Sequence, residues 1–144
     1  MRKFVLRALG AVALCLAAGV FVLAWFFGEP RAFVDVPIAP ATQARLRTLA
    51  LEGAGPREMA LHYYCYPPDC PDGPDPAKLE VRVSNPSADQ SVVTIINRFT
   101  YSDSTTVTCD RFTMRHEGNL WLPVRHQTAW QGRGRFGWTT QPTL

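Results

Sequence analysis

The chain has 144 residues, 47% of them hydrophobic and 19% charged, which is one ordinary folded domain and not a disordered or collagen-like chain. The formal charge of +3 comes from Arg2, Lys3 and Arg7; from Gly28 onward twelve basic residues balance twelve acidic ones. That neutrality argues against a general polyanion binder, and no nucleic acid partner is expected.

The basic residues precede an uncharged stretch from Ala8 to Phe27, 20 residues long. As a helix it would span about 30 Å, the thickness of a bilayer's hydrocarbon core. Trp25 stands near its end, where interfacial aromatics are favoured, and Gly28, Glu29 and Pro30 stop it. Cleavage as a secretory signal after Ala11-Val12-Ala13 or Ala17-Ala18-Gly19 would leave Val20-Phe21-Val22-Leu23 at a mature N-terminus, a poor water-soluble end. Residues 1–27 therefore read as an uncleaved signal-anchor helix, with residues 8–27 in the membrane. Charge asymmetry keeps the N-terminus in the cytoplasm and puts the remainder outside. Thirteen Arg against two Lys reads as a GC-rich, bacterial coding bias. The expectation is a single-pass protein of the inner (cytoplasmic) membrane with a periplasmic or extracellular domain.

An oxidising compartment favours one disulfide among Cys65, Cys70 and Cys109. Closing the short Cys65–Cys70 loop would stabilise by about 2 kcal/mol and a bridge to Cys109 by about 4 kcal/mol, but short-range pairing forms more readily. A Cys65–Cys70 disulfide is expected, with Cys109 a buried thiol. His62, Cys65, Cys70 and Cys109 fit no standard zinc spacing, and Asp69, Asp72 and Asp75 read as a solvated acidic loop. No metal and no cofactor is expected.

Residues 28–39 read as a Pro-containing linker, and 40–144 as an extracytoplasmic α+β domain. Pro40 to Glu52 is the expected soluble helix, with Leu46, Leu49 and Ala50 on one face and Gly53, Gly55 and Pro56 ending it. Arg57 to Tyr66 alternates, with Met59, Leu61, Tyr63 and Cys65 on one side, and is expected as a strand. Further strands are expected at Leu79 to Ser84, Ser91 to Tyr101, Thr105 to His116 and Leu120 to Trp130, the last interrupted by Pro123. A tight turn at Asp103-Ser104 would set Ile95 opposite Phe112, Val93 opposite Met114 and Arg98 opposite Cys109. The product is one helix packed on a curved antiparallel sheet of about five strands. In outline this resembles nuclear-transport-factor-like and cystatin-like folds, a likeness of shape that implies no activity.

No nucleophile elbow, phosphate-binding glycine loop or two-histidine metal helix is present in the sequence. Asp110 shares a predicted face with Asn97, Phe112 and Thr108, and His62, His116 and His126 are the candidate bases, but the residues read as structural and none is assigned as catalytic. The stretch Trp130 to Trp138 interleaves Arg, Gly and aromatics. The expectation is a non-enzymatic, membrane-anchored module that binds an envelope protein, a glycan or lipid head groups. Its expected contacts are Tyr63, Tyr64, Tyr66, Trp130, Arg133, Arg135, Phe136 and Trp138, because aromatics and Arg dominate interface energetics. The alternative is a small-ligand binder or enzyme with a pocket in the concave face of the sheet.

Overall fold

The computed structural model of the chain describes residues 12–21, 28–65, 74–98, 105–132 and 137–141. Their architecture is α+β. Helix α1 is described over residues 12–21. It is followed by β1 (Val34–Val36), α2 (Pro40–Leu51), α3 (Pro56–Cys65), a 3₁₀ turn (Pro76–Lys78), β2 (Glu80–Ser87), β3 (Gln90–Asn97), β4 (Thr105–Glu117) and β5 (Leu120–Gly132). The strands form one antiparallel sheet in the order β1-β5-β4-β3-β2. Residues 8–11 and 22–27 of the apolar stretch lie outside the described residues, and among the described ones no helix is long and apolar enough to cross a membrane.

Two helices, not one, pack on the sheet. Helix α2 forms as expected and ends in a Schellman motif, in which Gly53 N–H donates to Ala50 O and Ala54 N–H to Leu49 O. Gly53 sits there at φ +92°, a conformation that glycine adopts without a Cβ penalty. The expected strand over 57–66 is instead α3. Pro56 opens it, and the Glu58 carboxylate reaches back to accept from Gly55 N–H at 3.1 Å, one arm of a capping box. Residues 57–65 hold no Val, Ile or Thr, and only Tyr63 and Tyr64 favour a strand there. Met59 and Tyr63, spaced four apart, satisfy either period; burial of Ala60 beside Met59 fits only the helical one. The fifth strand is β1, from within the expected linker, paired with β5 from Val34↔Thr128 to Val36↔His126.

The expected β3–β4 register is displaced by two residues. Val93 opposes Phe112, Ile95 opposes Asp110 and Ile96 opposes Cys109. A shift of two keeps every side chain on its expected face, so the apolar pattern held while the pairing moved. The expected turn at Asp103-Ser104 lies outside the described residues. At the other end Gly118, φ +62°, opens the two-residue turn between Glu117 and Leu120. Pro123 falls beside a register shift at Thr113/Met114, as an interrupted strand should.

Each sheet face has its own cover. On one, Val93, Ile95, Phe112 and Met114 pack against Leu46, Ala50, Met59 and Ala60 of the helices. On the other, Ile96, Val107 and Cys109 are covered by Phe33 and Trp138, from the segments at either end of the domain.

Candidate functional site

The helix-covered face carries a buried polar pair. Asp110 on β4 and His126 on β5 are diagonal neighbours, since Asp110 opposes Thr128 and Phe112 opposes His126. His126 Nε2–H donates to Asp110 Oδ1 at 2.7 Å, and each side chain is only 8% exposed. The Phe112 ring stacks on the imidazole with centroids 4.5 Å apart and 8° between planes, and Tyr63 of α3 presents its edge at 5.0 Å. With Nε2 committed to the carboxylate, His126 Nδ1 is left buried without a hydrogen-bond partner. The imidazole is thus packed against two aromatic rings, and the nitrogen that Asp110 does not occupy is buried.

The surrounding groups are held in their neutral forms. Tyr64 shares a 2.7 Å hydrogen bond with Thr108 Oγ1, and burial together with the Asp110 charge pushes its phenol up to about 12. Burial and the same charge raise Tyr63. Burial pushes the Cys109 thiol, on the opposite face, up to about 12, and raises Cys65 at the end of α3. Neither thiol is poised as a thiolate nucleophile or ligand. Among the described residues no group of three or more His, Cys, Asp or Glu could hold a metal ion.

A second feature is open. Helix α3 packs over β3 and α2 over β5; Val81 of β2 still packs against this core, whereas Val83, further along the strand, is 45% exposed. Between the first turn of α3, the end of β2 and Trp121 lies a groove of about 540 Å³. Ser91 lines it, fully buried, with an Oγ that has no hydrogen-bond partner. No sequence pattern announces this groove, because its walls come from four separate segments of the chain.

The expected contact residues divide three ways. Tyr64 is turned inward, as described. Trp130 pairs through its backbone with Thr139, at 2.9 and 2.7 Å, and Trp138 Nε1–H donates to Gly28 O at 2.8 Å, so the described part of the tail folds back on its own domain. Tyr66, Arg133, Arg135 and Phe136 lie outside the described residues. Cys65 is a buried free thiol, and Cys70, its expected disulfide partner, lies outside the described residues. Of the acidic loop only Asp75 is described, capping the 3₁₀ turn through Ala77 N–H. His62 meets Arg45 of α2 at 3.2 Å, and His116 tilts against Trp121.

The expected linker is not slack. Glu29 accepts from Arg82 at 3.0 Å and from Arg111 at 3.4 Å, Phe33 lies under the Arg111 guanidinium at 4.0 Å, and Asp35 pairs with Arg125 through two contacts of 2.6 and 2.9 Å. The chain leaving the apolar stretch is therefore fastened to the sheet from Gly28 onward. Comparison of the chain with protein-family models, with curated proteins and with solved structures gave no match.

Proposed function

We propose that this chain is a single-pass, membrane-anchored protein whose α+β domain stands on the extracytoplasmic side of a bacterial inner membrane and binds an envelope component without catalysing a reaction. The basic flank, the 20-residue apolar stretch and the interfacial Trp25 support the anchor and its direction. The fastened segment 28–36 supports a domain held against the bilayer rather than swinging on a tether, which confines binding to partners at the membrane surface.

The observation that carries the binding reading is the contrast between two places on one sheet face. The acid–base pair is closed beneath Tyr63 and Phe112, whereas the groove beside Trp121 is open. A general base must come within hydrogen-bond reach of its substrate proton, and His126, 7% exposed, is not among the residues that line the groove. The alternative, an enzyme or small-ligand site built on the acid–base pair, draws on the 2.7 Å Asp110–His126 contact and would require α3 to swing away. Protection of the His126 ring nitrogen from solvent exchange, followed by NMR, separates the two: rapid exchange in the native protein would favour the enzyme.

Fusing alkaline phosphatase after Leu144 tests anchor and direction. Active fusion in the membrane fraction is expected. An inactive fusion, or full-length protein in the soluble fraction, overturns the proposal.

A further inference from the structure

We infer that the groove between the start of α3, the end of β2 and Trp121 is a carbohydrate-binding site for a neutral, hydroxyl-rich glycan. Its volume, about 540 Å³, falls within the range of small-molecule sites. The inference names the ligand class of the binding module proposed above and rests on that reading for access to an extracytoplasmic glycan.

Charge is the first filter. The groove's two ionisable lining residues, Arg57 and Glu58, carry opposite charges and stand side by side at the opening of α3. Their fields offset one another, so the groove prefers neither a phosphate nor a cation. Glu58 Oε2 also accepts from Gly55 N–H, which neutralises that helix end as an anion site.

Chemical duality is the second. Trp121 and Val83 supply apolar surface; Asn85 supplies an amide that both donates and accepts; Ser91 supplies a buried hydroxyl of the same dual character with no partner. Trp121 is held by packing against the core and by His116, ring centroids 4.8 Å apart. A ligand that suits all four must carry an apolar face on one side and neutral donor–acceptor groups on the other. A pyranose does so, with its C–H face for the aromatic and hydroxyls for the amide and the serine.

An extended peptide added to the edge of β2 is the competing occupant. That edge carries Pro86, the charged Glu80 and Arg82, and a register shift between Ser84 and Ser87, all devices that discourage strand addition.

The test uses the full chain in detergent, titrated with oligosaccharides of glucose and of N-acetylglucosamine while Trp fluorescence and heat are followed. Inositol hexakisphosphate and a neutral unstructured peptide are the controls. Saturable binding of one oligosaccharide series and of neither control is expected. Losing one hydrogen bond in Asn85→Ala or Ser91→Ala should weaken binding about fivefold. Ser91→Ala also removes a buried unpartnered hydroxyl, so its Tm should hold or rise while affinity falls, a pairing that a purely structural serine would not give. Absence of saturable sugar binding, sugar binding unchanged in both variants, or binding of the peptide or the polyanion alone would overturn the inference. The purified protein binds or fails to bind wherever the cell puts it, so this result and that of the phosphatase fusion fail separately.

Discussion

The two faces of the sheet are covered by different means. Helices α2 and α3 close one face by burying Leu46 and Met59 against Phe112 and Met114 of β4. Segments from the two ends of the domain close the other with two rings, Phe33 and Trp138, and with ion pairs whose side chains remain 29 to 62% exposed. Apolar burial contributes in proportion to area removed from water, whereas exposed ion pairs contribute little. The helix face therefore carries the larger share of the fold's stability, and the other face fastens residues 28–36 to the sheet.

The largest expected effect lies on the helix face. Phe112→Ala removes a fully buried ring that also stacks on His126, and should cost about 3–5 kcal/mol in urea unfolding, with a lowered midpoint. Asp110→Asn comes next. It keeps the volume but puts a weaker acceptor opposite His126 Nε2, in a place with almost no solvent, and should cost about 1–3 kcal/mol by the same measurement.

How much of this was legible depends on whether the signal was local. The end of α2 was readable in Gly53 and Gly55, and the sheet faces were readable in the alternation of Val93, Ile95, Phe112 and Met114. The start of α3 was readable too, in Pro56 and Glu58, but Pro56 was assigned to ending the preceding helix, Glu58 fell inside the expected strand, and the odd-numbered run Met59 to Cys65 imitated one. The β3–β4 pairing depended on the length of a connection that local chemistry does not specify. Asp110 and His126 were each visible as candidates; their meeting was not, because it depends on the Gly118 turn and the irregularity at Thr113/Met114 between them. Three residues of β1 are too few for a periodic signal.

Alkali should sharpen the comparison. The Tyr64 phenol is pushed from 10.0 up to about 12 in the folded protein. Its neutral form is favoured by folding, so this contribution is complete below pH about 10 and is lost as pH rises through about 12. Cys109, pushed from 9.0 up to about 12, acts with the same sign from a lower starting point. Stability should therefore fall with rising pH in this window. Tyr64→Phe should flatten part of that fall, while losing the hydrogen bond to Thr108, about 1 kcal/mol, at neutral pH.

The opposite face should answer more weakly. Trp138→Phe keeps a ring over Ile96, Val107 and Cys109 but loses the Nε1–H bond to Gly28 O, and should cost about 1 kcal/mol. Glu29→Gln should cost less, within about 1 kcal/mol and shrinking further in salt, because both of its guanidinium partners are near solvent. Its effect should instead be local. Removing the charge that ties Gly28 and its neighbours to Arg82 and Arg111 should speed protease cleavage within residues 28–38 while the urea midpoint stays nearly fixed. A division of labour between the faces requires that separation of readouts. If Glu29→Gln lowered the midpoint as far as Asp110→Asn does, the segment leading from the apolar stretch would be part of the folding core, and the two faces would be equal partners in stability.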